Sequence, residues 1–434
     1  MKFKYSINDV PPLNILILNG LQWFVLLIPI IIMVGKTIGV NFLLDPHEET
    51  LYIQKLLFIV SLSLFLQMLF GHGLPVISGP ATVILVGLVA SKSYSLSSLY
   101  SALLIGSLFI CVLGCLNVTK KLIAVFTKNI ISVVLILIAF TMLPALLKLI
   151  LDPIGIPVGY NLIIALIILL LLFFLEKILK GFWKTSLILL TMLVGTILYL
   201  LIFGEEVNTN GLEGVSVISN YFSDFIPIFE IDIGLILTFI ICYIALVIND
   251  IGSMQSVSAF IGITDNWYRI KRGVLITGIT NFLASLMCCI GVVNFSFSPG
   301  VLVITKCASK YVLLFTALLL LILSFSPYFI DFINIIPHLL IGAIFLYVMA
   351  SQISTGLSML YSNGQFKYND GIVVGFSVML GATIANLPPE TTLSLPDLLR
   401  PFLGNGFVMG LLFAFILEHI VYRKNNLDFK KYKN

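Results

Sequence analysis

Twelve apolar runs, each close to the length that crosses a bilayer, restrict the fold of this chain more than any other feature. They fall near residues 15–35, 53–70, 98–116, 130–151, 160–176, 185–203, 232–250, 273–292, 311–333, 336–358, 370–387 and 404–422. A helix needs about 20 apolar residues to cross the hydrocarbon layer, and within lipid the backbone must satisfy its own hydrogen bonds. Such runs predict an all-α polytopic membrane protein. Composition agrees: of 434 residues, 59% are hydrophobic and 10% charged, against about 25% charged in a soluble domain. That is too little polar surface for a soluble enzyme, a nucleic-acid-binding protein or a disordered chain.

Two further runs, near 76–91 and 294–306, are apolar but short or broken by Gly and Pro, and they raise the count to fourteen. The loops test that count. With the N-terminus inside, the cytoplasmic segments collect 19 of the 24 basic residues, among them Lys120, Lys121, Lys180, Arg269, Lys271 and Arg272. The opposite loops collect acids: Asp45, Glu48, Glu49, Glu205, Glu206, Glu213, Glu390 and Asp397. Positive-inside bias then predicts a multi-pass protein of the cell membrane with both termini cytoplasmic. Met1 to Asn14 carries Lys2, Lys4 and Asp9 but no small-residue cleavage site, so the first run is expected to be a retained span. Nearly every charge is expected to mark a loop, with Asp250 as the exception. The six cysteines lie in or beside apolar runs without metal-site spacing and are expected to be buried thiols, with no metal bound.

The hydrophilic insertion Gly204 to Glu230 divides seven spans from seven. The expected organisation is a first repeat over 1–205, an extracellular connector over 206–230, a second repeat over 231–422 and a basic cytoplasmic tail over 423–434. An odd number of spans per half makes the two repeats inverted, a common plan among secondary transporters.

The third span of each half is interrupted. The first reads Gly73-Leu74-Pro75-Val76-Ile77-Ser78-Gly79-Pro80-Ala81-Thr82 and the second reads Val292-Val293-Asn294-Phe295-Ser296-Phe297-Ser298-Pro299-Gly300. In both, an extended apolar lead meets a Ser/Gly/Pro break and then an apolar helical run. Proline suits the first turn of a helix and the preceding serine suits its cap, which predicts half-helices beginning near the bilayer midplane. Their unpaired N–H groups and positive dipole ends make a binding site where bulk water does not compete. Two interrupted spans in register point to a substrate site more strongly than one, which would be read as a packing kink.

At these residues the chain resembles the nucleobase–ascorbate transporter family, also called nucleobase:cation symporter family 2, which includes uracil and xanthine permeases. Pro299-Gly300, four apolar residues and Thr305-Lys306 keep the Gly, Thr and basic positions of the family signature. Gly20-Leu21-Gln22-Trp23 is similar to the family's Gly-Leu-Gln-His, Gly73-Leu74-Pro75 with Gly79 to the entry of its first broken span, and Ile336-Pro337 with Gly342 and Thr355-Gly356 to its twelfth span. The resemblance implies a core domain (15–116 and 231–333) that slides against a gate domain (117–205 and 334–422). It further implies import of a nucleobase with a proton or a sodium ion, no other cofactor, and a homodimer through the gate.

The departures are as informative. The base-binding Glu of the eighth span falls on Asn249, with an acid one residue on at Asp250; the tenth-span acid falls on Phe297 and its Asn on Ser298; the third-span aromatic falls on Thr82. The candidate substrate-binding set is therefore Asn249, Asp250, Ser253, Gly79, Ala81, Thr82, Phe295, Ser296, Phe297 and Ser298. Gln22, Gly300, Thr305 and Lys306 are carried as motif residues. Asn249 suits amide pairing with a lactam edge, and Phe295 or Phe297 either stacks on a ring or simply packs. A charge at membrane depth costs about 3 kcal/mol on insertion scales. Asp250 is thus read either as a proton carrier facing a cavity or as a cap at the cytoplasmic end of its span. His72 is read as a second proton carrier or as a helix-end histidine bonded to backbone, Lys306 as snorkelling to the interface, and Glu418 with His419 as an interfacial pair.

Two other classes compete with this reading. An anion transporter of the sulfate-permease kind, with paired half-helix dipoles holding the anion, needs no acid at Phe297. A membrane-embedded enzyme needs a catalytic cluster at depth, whereas His47, His72, His338 and His419 are dispersed along the chain.

Overall fold

The computed structural model describes residues 3–116, 127–151, 158–203, 229–263, 267–295, 298–326, 329, 335–361, 367–396 and 399–422. Each expected apolar segment carries a helix. In the first half these are α1 (Leu13–Phe42), α2 (Pro46–Leu69), α3 (Thr82–Ala90), α4 (Leu96–Cys115), α5 (Lys128–Ile150), α6 (Val158–Ile178) and α7 (Leu187–Phe203). In the second half they are α8 (Ile233–Ile261), α9 (Trp267–Leu286), α10 (Ser298–Thr305), α11 (Lys310–Ser324), α12 (His338–Tyr361), α13 (Tyr368–Ala385) and α14 (Gly406–Ile416). Eight of them (α1, α2, α4, α5, α6, α8, α12 and α13) are long and apolar enough to cross a membrane by length and composition. The half-length α3 and α10 are each preceded by a three-residue strand, β1 (Ser78–Pro80) and β2 (Val292–Asn294). The connector and the basic tail lie almost wholly outside the described residues.

The packing repeats itself between the halves. Helix α2 packs on α11 and α9 on α4; α1 packs on α11 and α8 on α4; α5 packs on α13 and α12 on α6. Each pair becomes the other when every helix is exchanged for the one seven positions along. The α5–α12 contact and the antiparallel β1–β2 pair map onto themselves, as an inverted repeat requires. Close approach makes these crossings tight: a Cβ on Gly278 would stand 2.8 Å from the Cys111 amide nitrogen, and one on Gly114 2.8 Å from that of Leu275. Small residues at such crossings let backbones meet where lipid gives no hydrophobic drive. The outer face of α6 exposes Leu162, Ile163, Leu166, Ile167, Leu170 and Phe174, the surface expected toward acyl chains.

Several boundaries differ from the sequence reading. The eighth segment continues to Ile261 rather than ending at 250, because its Gly252, Ser253, Gln255 and Ser256 are helical; Gly262, at φ 81°, ends it in the left-handed conformation. Helix α9 begins at Trp267, six residues before the expected start, and ends at Leu286. None of the six cysteines is in a disulfide, but Cys115 is exposed and Cys111 partly buried, since α4 turns one face outward, and Cys288, just past the end of α9, is partly buried as well. Charges also enter the interior: Lys36, Glu49 and Lys55 are buried, and Lys36 pairs with Glu49 between α1 and α2. Glu418 is bonded to Asn129 rather than to His419; the Asn129 amide nitrogen lies 2.9 Å from both Glu418 Oε2 and Asp370 Oδ1, while His419 stacks on Phe415.

Candidate functional site

The two breaks meet each other. Ser78 pairs with Asn294, Gly79 with Val293 and Pro80 with Val292, and the pairing is extended by the Ala81 amide donating to the Gly291 carbonyl (2.9 Å) and the Phe295 amide to that of Ile77 (2.8 Å). Extended backbone at membrane depth needs a protein partner for its N–H and C=O groups. Here each break supplies the other's partners, from 200 residues away.

This pairing corrects the expected helix starts. Ser78, Gly79 and Pro80 form β1, so Pro80 lies in the strand and α3 begins at Thr82, capped by Ala81 without a side-chain bond. The Ser78 hydroxyl is engaged across the pair, 2.5 Å from Asn294 Oδ1. In the second half α10 does begin at Ser298, with Pro299 in its first turn. The Ser298 hydroxyl, however, ties the two breaks together, accepting from the Ile77 amide (3.1 Å) and donating to the Phe295 carbonyl (2.8 Å).

Asp250 lies fully buried within α8, more than two turns before its end, so it is not a helix cap. Its Oδ1 accepts from the Asn294 backbone amide at 3.0 Å and its Oδ2 from the Thr277 hydroxyl of α9 at 2.9 Å. The two oxygens are not equivalent. A backbone N–H only donates, whereas a threonine hydroxyl both donates and accepts. Thr277 Oγ also accepts from the Gln67 side-chain amide at 2.9 Å, which leaves it one further lone pair with which to accept a proton placed on Oδ2. Beside it, Ser253 Oγ stands 2.8 Å from the Asn249 and Asn294 carbonyls, which fixes β2 against α8.

Asn294, in the sequence only one residue of the extended lead to the second break, is the hub. Its main chain bonds Asp250 and Ser253, and its side chain bonds Ser78 and lies between Asp250 and His72. His72 Nδ1 accepts from the Leu74 amide at 2.9 Å, which assigns its proton to Nε2, and its carbonyl accepts from Arg269 at 2.9 Å. The backbone-bonded reading of His72 therefore holds. Thr277 and Asn294 carried one usable signal: an amide and a hydroxyl inside otherwise apolar segments that flank an intramembrane acid.

The candidate residues divide by burial. Asp250, Ser253, Ser298, Gly79 and Ala81 are buried and hold the frame, whereas Asn249, Thr82 and Phe295 are partly exposed. One turn along α8 from Asn249, a Cβ on Gly252 would meet nothing within 4 Å, so this face of the helix borders open space. The Phe295 ring lies flush on Gly79, where a side chain would collide with it. Ser296 and Phe297 lie outside the described residues. Of the motif residues, Gln22 is buried on α1, and Gly300 sits in the first turn of α10. Thr305 and Lys306 close that helix. The Thr305 hydroxyl donates to the Val301 carbonyl, and the exposed Lys306 takes the left-handed conformation (φ 51°), its carbonyl accepting from the Lys4 amide at 2.9 Å.

The arrangement offers four features to a ligand: first-turn amides of α3, the Asn249 side chain, the Phe295 ring and a buried carboxyl one residue from Asn249. Together these can pair with a polar edge, stack a flat face and exchange a proton.

Comparison with known proteins gives this geometry its context. The Permease family model Xan_ur_permease matches residues 14–390. The putative purine permease YwdJ of Bacillus subtilis (strain 168) is 25% identical over 439 residues, covering 95% of this chain and 98% of its own. The xanthine permease of the same strain is 23% identical over 405 residues, covering 92% and 90%. The nucleobase transporter PlUacP of Paenibacillus larvae subsp. larvae (strain NRRL B-3650 / LMG 16245) is 25% identical over 368 residues, covering 81% of each chain. Among solved structures, the transmembrane domain of a cyanobacterium bicarbonate transporter, BicA, aligns with a TM-score of 0.64 at 14% identity over 91% of this chain and 99% of that one. The SLC26A9 structure aligns at 0.58 and 13% identity over 95% of this chain and 66% of that one. Those likenesses show the shared fold. The family match, running through both breaks and most of the helices, shows more: this chain belongs to the xanthine/uracil permease family of membrane transport proteins.

Proposed function

We propose that the chain imports a nucleobase-like planar solute of the uracil or xanthine class, coupled to a proton. The observation that carries this reading is the Asp250 carboxyl, held only by neutral donors at the crossing of the two breaks and next to the partly exposed Asn249. Asn249 pairs with the lactam edge of the base, Phe295 stacks on its face, and the first turns of α3 and α10 receive its carbonyl oxygens. Asp250 binds the proton and passes its state to the site through the Asn294 amide. Relatives named as purine, xanthine and nucleobase transporters support the substrate class.

In this reading all fourteen segments count as crossings, with both termini cytoplasmic. The core (15–116 and 231–333) moves as a unit against the gate (117–205 and 334–422), exposing the site to each side in turn. A homodimer would join through the gate. The sulfate-permease-like alternative draws on the BicA and SLC26A9 likeness, but a carboxyl beside the site disfavours an anion by like-charge repulsion.

Uptake of labelled uracil, xanthine and hypoxanthine into proteoliposomes tests the proposal. The expected result is saturable uptake of at least one base that rises with an inward proton gradient. Saturable sulfate, chloride or bicarbonate flux with no uptake of any base would overturn it.

A further inference from the structure

On the outer side of the α4–α9 pair, Gly114 and Cys115 at the end of α4 and Trp267, Lys271, Arg272 and Leu275 at the start of α9 enclose a groove of about 440 Å3. Tyr268 and Arg272 also line an adjoining cavity of about 250 Å3, which adds the cations Arg269 and Lys310 and, among the described residues, no acid. Arg272 is held 5.5 Å from the centroid of the Tyr268 ring, itself largely exposed. From the groove, the exposed side chains of Val112 and Leu108 run back along α4 and that of Ile279 runs onward along α9. The result is a cationic, aromatic-rimmed pocket at the helix ends that continues into an apolar stripe along the same helix pair.

We propose that this groove binds an anionic phospholipid, its phosphate on Lys271 and Arg272 and one acyl chain along Leu275, Val112 and Leu108. Charge complementarity selects an anionic headgroup, since basic pockets between spanning helices attract such lipids. Continuity with the apolar stripe selects a lipid over a soluble phosphate, for which the stripe has no use. Trp and Tyr at the rim match the amphipathic side chains that settle at headgroup level. The groove lies on the opposite side of α9 from Thr277 and its partner Asp250, so the site stands independently of the transported solute.

Thermal unfolding of the full chain in detergent, with added phosphatidylglycerol, phosphatidylcholine of the same acyl chains, or inorganic phosphate, tests the proposal. Phosphatidylglycerol should raise the Tm well beyond phosphatidylcholine, and phosphate should not. Lys271→Gln and Arg272→Gln should each weaken the apparent affinity for phosphatidylglycerol about fivefold, while Lys271→Arg with Arg272→Lys retains it. Leu108→Gln with Val112→Gln, which leaves the cations intact, should weaken it as well and serves if the neutralised variants do not fold. Equal shifts with both lipids, a full shift with phosphate alone, or undiminished affinity in the glutamine variants would overturn the site.

Discussion

Among the described residues two carboxylates are buried in the helical body of this protein, and they are held in opposite ways. Glu49 on α2 pairs with the Lys36 ammonium on α1 and lies so tightly against Gly39 that no side chain fits there. Asp250 on α8 meets no cation among the described residues; its partners are the neutral Thr277 hydroxyl and the Asn294 amides. Opposite charges taken together are neutral as a unit, and that unit fastens two helices. A lone carboxyl facing a reversible hydroxyl is the one whose protonation can follow its surroundings. Burial alone therefore does not single out the acid proposed to carry the proton; the nature of its partners does.

Breaking each arrangement should give different signatures. The largest stability loss is expected from Glu49→Gln, which takes the carboxylate partner from the buried Lys36 ammonium and should cost about 3–5 kcal/mol. Thermal unfolding in detergent would read this, and Lys36→Met with Glu49→Leu should recover most of it. A single variant as stable as the wild type would end the fastening role. Gly79→Ala comes next: the Phe295 ring must move, at about 1–3 kcal/mol, and equilibrium binding of the transported base should weaken with it.

Asp250→Asn should cost less stability, about 1–2 kcal/mol for one mismatched buried donor, yet remove the proton dependence of uptake. Unchanged pH dependence would return Asp250 to a purely structural role. Thr277→Val should shift the pH profile of uptake and Thr277→Ser should restore it, an outcome that lost packing alone would not give.

The smallest effect is expected at Glu230, in the loop before α8, whose carboxylate takes the Ser95 and Ser98 hydroxyls at the start of α4. Those bonds hold its pKa below the ordinary 4.5. The stabilisation is therefore complete above that pH and is lost as the pH falls through the lower folded-state value. In Glu230→Gln, the acid limb of the stability-against-pH curve should flatten slightly.

Much of the architecture was legible along the chain. The positions of the fourteen apolar helices named above, the two breaks and their antiparallel relation follow from apolar length, Gly/Pro interruptions and an odd span count per half. Segment ends were less legible. Gly252 and Ser256, small or polar, lie past the apolar run that ends at 250, while in the fold they stay helical on the exposed side of α8. The site was legible only in part. Asn249 and Asp250 stand out as polar residues in an apolar run, with Ser253 just beyond it, but Asn294, the residue that joins them to the first break, reads as part of an extended lead.

What the sequence alone determined is what the bilayer imposes on a single segment. Crossing length, backbone self-satisfaction and the cost of charge act locally, and they can be read one run at a time. What only the tertiary structure decided is which group meets which. The strand pair joins residues more than 200 positions apart, Ser78 bonds Asn294, Lys36 neutralises Glu49, and Thr277 faces Asp250. Inside a membrane the worth of a polar side chain depends on its partner, and a partner is a property of packing, not of the run in which the side chain sits.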